Sequence, residues 1–157
     1  MEALIVVFII VIIGVVIWGV NRNKQLMDEG KIIKRDISFL ETAEVFTSKG
    51  ADPAKISSAL RTMDISGTKA DWTSKNGTLF IESGYGWSAK LELIGNNEET
   101  YKYRFQFLNW KTSRGIPTNA NSMNIAITAI EKAFLQIDPK TKVESTRIKT
   151  TTKSSFL

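Results

Sequence analysis

The sequence predicts an α+β protein: an N-terminal transmembrane helix, then a two-layer domain. In that domain two short helices precede a four- or five-stranded antiparallel meander packed against a C-terminal helix. Three observations carry this. The first is an uninterrupted apolar run from Ala3 to Val20. The second is a change of apolar period from about 3.6 to 2 after Thr68. The third is a late apolar stripe, Met123 to Ile137, that needs a sheet face to cover it.

The run Ala3–Val20 (ALIVVFIIVIIGVVIWGV) holds no charged residue. At ~1.5 Å per residue such a helix covers about 27 Å, close to the hydrocarbon thickness of a bilayer. Its many β-branched residues favour a strand in water. In lipid a helix prevails, because only a helix satisfies its own backbone hydrogen bonds. A cleaved signal peptide would show a basic leader, a shorter apolar core and a small-x-small exit. Here the leader is Met1-Glu2 and the exit is Trp18-Gly19-Val20-Asn21-Arg22, so a retained signal-anchor is expected.

Residues 1–20 are therefore read as the anchor and 21–35 as a basic juxtamembrane stalk. In that stalk Arg22, Lys24, Lys31, Lys34 and Arg35 outnumber Asp28 and Glu29. Basic residues close behind a spanning helix mark the cytoplasmic side, and Trp18 suits the interface. The expected topology is a single-pass cell-membrane protein with its N-terminus outside and residues 36–149 as a cytoplasmic domain. Residues 150–157 are expected to fray.

Within the domain, Ser38 and Glu41 match a capping box, and Phe39, Ala43 and Phe46 recur at helical spacing. A first helix is expected there, ended by Gly50. Asp52-Pro53 starts a second, with Ile56, Ala59, Leu60 and Met63 on one face. Strands follow at 69–74 and 78–83, joined by Asn76-Gly77, the pair a type I′ hairpin turn requires. After Gly84-Tyr85-Gly86, Trp87, Ala89, Leu91 and Leu93 alternate with polar residues. A polar turn at 95–99 leads to Tyr101, Tyr103, Phe105 and Phe107, which alternate likewise. Residues 111–118 read as a loop. Asn119 or Asn121 caps the last helix, with Met123, Ala126, Ile127, Ile130, Ala133, Phe134 and Ile137 as its stripe, and Asp138-Pro139 stops it. Residues 141–152 are β-branched and basic, as in a protected edge strand.

The composition excludes much chemistry. The chain contains no cysteine and no histidine. Thiolate nucleophiles, sulfur-ligated metals and imidazole bases are thereby removed. The sequence points to no catalytic residue, no cofactor and no metal site.

Ser66-Gly67-Thr68-Lys69 matches S-x-x-K without the partner motifs of that chemistry. Glu98-Glu99, and Asp64 with Asp71, read as solvated carboxylates. The aromatic strand lacks the Gly-containing motif of an RNA-stacking sheet and reads as core. In the tail, Lys140, Lys142, Arg147, Lys149 and Lys153 stand against Glu144 alone, a possible contact for anionic polymer or lipid.

The expected function is a non-enzymatic interaction or scaffolding module, tethered to the membrane and meeting a protein partner. Its alternatives are a small enzyme using carboxylate, Lys or Tyr chemistry, or a binder of anionic lipid or nucleic acid. Nucleic acid is the weaker expectation.

Overall fold

A computed structural model describes residues 2–148 and 153–154 of the chain. Its contacts divide the chain into two compact units, Met1–Lys34 and Arg35–Leu157.

The first unit is dominated by α1 (Glu2–Asp28). Its segment Ile5–Asp28 is long and apolar enough to cross a membrane, a test a signal sequence would also pass. The helix ends in a Schellman motif. Gly30 takes φ 66°, its N–H donates to Met27 O at 2.8 Å, and Lys31 N–H donates to Leu26 O at 2.8 Å. Gly30 thus stops the helix because the left-handed position suits a residue without Cβ.

In the second unit, a 3-10 turn (Ile37–Glu41) leads into β1 (Thr42–Lys49) and α2 (Pro53–Thr62). Four strands follow: β2 (Ala70–Lys75), β3 (Thr78–Ser83), β4 (Trp87–Asn97) and β5 (Thr100–Asn109). A small hairpin, β6 (Lys111–Ser113) and β7 (Ile116–Pro117), precedes α3 (Ala120–Ile137) and β8 (Lys142–Arg147). The main sheet has six strands in the order β2-β3-β4-β5-β1-β8, with every pair antiparallel. β9 (Lys153–Ser154) pairs in parallel with β6.

The α+β class, the meander and the closing helix stand as the sequence predicts, and β8 is the edge strand expected after Pro139. The helix expected from Ser38 to Gly50 does not form beyond its first turn. Asp36 rather than Ser38 is the cap, accepting from Ser38 N–H at 2.9 Å, and the chain then extends as β1. The spacing of Phe39, Ala43 and Phe46 imitates a helix face. The true period is 2, with Glu44, Phe46 and Ser48 inward, and it is disguised because two of those three are polar. Gly50 does take a positive φ of 64°, at a strand end rather than a helix end, and its N–H donates to Glu99 O at 2.7 Å. The loop expected at 111–118 contains the β6–β7 hairpin, turned by Arg114 and Gly115, both at positive φ. The expected polar turn at 95–99 shrinks to Glu98-Glu99, since β4 continues to Asn97 past a bulge at Leu93/Gly95. The tail expected to fray lies outside the described residues apart from β9.

One face of the sheet carries the core. Phe46 of β1 stacks on Phe134 of α3, with ring centroids 4.5 Å apart and planes 3° apart, and Tyr103 meets Phe134 edge-on at 5.3 Å. The stripe Met123, Ala126, Ile127, Ile130, Ala133 and Phe134 is fully buried. Helix α2 is seated by Asp52, whose carboxylate accepts from Ala54 and Lys55 N–H, and by Tyr103 Oη donating to Ala51 O at 2.8 Å. Tyr103, Phe105 and Phe107 of the aromatic strand are therefore core.

Candidate functional site

A polar cluster interrupts the apolar interface between β1 and α3. Glu44 is the inward residue of β1 next to Phe46, and it is only 4% exposed. On α3, Asn124, Thr128 and Glu131 recur at i, i+4 and i+7 and so share one side of the helix. Arg35, the first residue of the domain unit, reaches into this group. Its Nε donates to Asn124 Oδ1 at 3.2 Å, its Nη1 to Glu44 Oε1 at 3.3 Å, and its Nη2 to Glu131 Oε2. Thr128 Oγ1 bonds Asn124 Oδ1 at 3.1 Å.

Two carboxylates thus share one guanidinium. Glu44 Oε2 is buried with no hydrogen-bond partner. Burial, and then the nearby Glu131 charge, push the Glu44 carboxyl up to about 7, with Arg35 pulling in the opposite direction. The cluster is a buried, proton-accepting joint between β1, α3 and the start of the domain.

Clefts open on the domain surface among the described residues. One, of about 340 Å³, lies between α2 and the β2–β3 hairpin. Leu60, Arg61 and Met63 line it from the helix side, and Ala70, Trp72 and Leu79 from the sheet side. It exists because the helical layer leaves the last strand, β2, half covered. The second, of about 430 Å³, is bordered by Lys49, Lys55 and Gln136. Its lysine Lys55 is already held by Asp52 at 3.5 Å and by Gly50 O at 3.2 Å. Arg35, Glu44 and Glu131 line neither cleft.

The residues singled out by sequence are scattered among these features. Trp18, Arg22 and Lys24 project from exposed positions on α1. Lys31 pairs with Glu29 at 3.2 Å, and Lys34 is exposed. Arg35, expected among the membrane-flanking cations, is instead neutralised inside the domain. Lys140, Lys142 and Arg147 are exposed, and Arg147 meets Glu41 at 3.3 Å. Lys149 lies outside the described residues, and Lys153 belongs to β9. Of the S-x-x-K match, Lys69 Nζ lies over the Tyr85 ring, 5.0 Å from its centroid. Asp64 caps Ser66 N–H at 2.9 Å, and Asp71 and Glu98-Glu99 are exposed. Among the described residues no three His, Cys, Asp or Glu side chains converge as a metal ion would require.

Sequence spacing carries no sign of the Arg35 cluster, because its members lie 9 and 96 residues apart along the chain. Comparison with protein-family models, with curated proteins and with solved structures finds no match to this chain.

Proposed function

We propose that this chain is a membrane-tethered, non-enzymatic interaction or scaffolding module. Its α1 helix is a retained single-pass anchor, and its domain faces the cytoplasm. The orientation follows from Arg22, Lys24, Lys31 and Lys34 on the domain side of the apolar run. A tether of this kind raises the local concentration of whatever the domain binds.

The observation that carries the reading is the cleft beside β2. It combines a half-covered apolar floor, Trp72 and Leu79, with a strand that is terminal in the sheet among the described residues. Surfaces that add a strand or an apolar side chain from a partner have this form. Glu44, whose carboxyl is driven far from its ordinary range, is buried away from both clefts.

The test is site-specific photocrosslinking in the full chain within its membrane. A photoreactive residue at Trp72 should capture a protein partner saturably, and the same group at Asn97, on the distant β4–β5 turn, should not. Equal capture at both positions, or none at Trp72, would contradict the reading.

A further inference from the structure

We propose that the β2 edge pairs with β2 of a second copy of this chain, antiparallel and centred on Thr73, joining two six-stranded sheets into one. The inference rests on the interaction-module reading and names its partner. β2 is terminal in the sheet. Its hairpin partner β3 follows a two-residue turn closed by Lys75 and Thr78. In such a hairpin the closing pair exchanges backbone hydrogen bonds, so Lys75, Thr73 and Asp71 point their N–H and C=O groups at β3. The groups of Trp72 and Ser74 consequently point outward, where no other strand among the described residues bonds them.

The side chains then select the register. Asp71, Thr73 and Lys75 alternate with Trp72 and Ser74 along β2 and so share one face of the strand. Asp71 lies directly opposite Glu82 of β3, a like-charge pair that is unfavourable in a sheet. Among the described residues neither Asp71 nor Lys75 is in an ion pair within its own chain. When two β2 strands pair about Thr73, Asp71 falls opposite the partner's Lys75 and Lys75 opposite the partner's Asp71. Both contacts sit at non-hydrogen-bonded positions, where side chains approach most closely.

Centring on Trp72 or Ser74 instead sets Asp71 or Lys75 against Thr73. On the helix face the same register places Trp72 across from Ser74, making the two indoles diagonal neighbours over the half-covered clefts. Self-pairing about the middle of β8 sets Glu144 against its own copy or against Thr146.

The chain has no cysteine, so Thr73→Cys introduces a single reporter. At the symmetry point the two Cα atoms would lie roughly 4.5–5.5 Å apart, within disulfide range. Oxidation of membranes holding full-length T73C should give a disulfide-linked dimer, whereas Asn97→Cys should not. In the T73C background, Asp71→Lys or Lys75→Asp should each cut dimer yield roughly ten-fold, since both cross-strand pairs become repulsive. The double exchange, D71K with K75D, should restore it. D71K also relieves the clash with Glu82 inside the chain, so its loss of dimer cannot come from a weakened fold. Absence of the T73C dimer, or yields indifferent to the charge changes, would overturn the proposal. Capture of a different protein from Trp72 in that same case would leave the broader reading standing, and no capture would remove both.

Discussion

Arg35 Nη1 lies 3.3 Å from Glu44 Oε1, yet the Glu44 carboxyl holds its proton up to about pH 7. Burial and Glu131 outweigh the guanidinium. A carboxyl whose folded pKa is raised stabilises the fold fully below its unfolded pKa of about 4.5, and that stability is lost as pH rises through 7. The loss across this window should be on the order of 3 kcal/mol. Asp52 and Asp138, held low first by backbone N–H bonds, act oppositely, and their contribution is lost as pH falls through the acidic range. Stability should therefore peak near pH 5. Glu44→Gln should flatten the decline between pH 5 and pH 8. Thermal melting of the full chain in detergent at both pH values checks this, and unchanged slopes would refute it.

The stacked pair Phe46 and Phe134 joins β1 to α3 at the centre of the core. Both rings are fully buried. Phe134→Ala should cost about 3–5 kcal/mol through lost transfer energy and the cavity left behind. Phe134→Leu should cost clearly less. Denaturant titration of the two variants measures the difference.

Trp87 Nε1 donates to Ser122 Oγ at 2.9 Å, with both residues buried. Removing the hydroxyl strands an indole N–H in the core. Ser122→Ala should destabilise by about 1–3 kcal/mol although it deletes only one oxygen. Tryptophan fluorescence during unfolding should report the loss.

Asp52 caps α2 through Ala54 and Lys55 N–H, at 3.0 and 2.9 Å. Asp52→Ala should cost about 1 kcal/mol, and Asp52→Asn less, because an amide oxygen still accepts. A denaturation midpoint equal to the parent's in Asp52→Ala would show that the cap contributes nothing.

What the sequence made legible were elements whose inward residues are apolar at a regular period. The α2 cap, the Asn76-Gly77 turn, the alternation in β4 and β5, and the α3 stripe all fall in that class. β1 escaped because Glu44 and Ser48 occupy inward positions, hiding a period of 2 behind a chance helical spacing. The β6–β7 hairpin escaped because its strands are too short to show a period, although its turn rests on Arg114 and Gly115 at positive φ. The candidate sites are properties of tertiary neighbours. Glu44 meets Arg35 and Glu131 only once β1 lies under α3. The cleft beside Trp72 exists only because α2 stops short of the last strand. A charge pattern such as Asp71-x-x-x-Lys75 gains meaning once β2 is known to be an edge.

The most direct measurement is of the tether itself, through the single-cysteine variant Asn97→Cys at an exposed position of the domain. Intact cells expressing the full chain would be treated with a membrane-impermeant maleimide, before and after permeabilisation, and the product's mass and membrane partition recorded. The account predicts a membrane-bound product retaining residues 1–20 and labelled only after permeabilisation. A shortened soluble product, or labelling in intact cells, would contradict it.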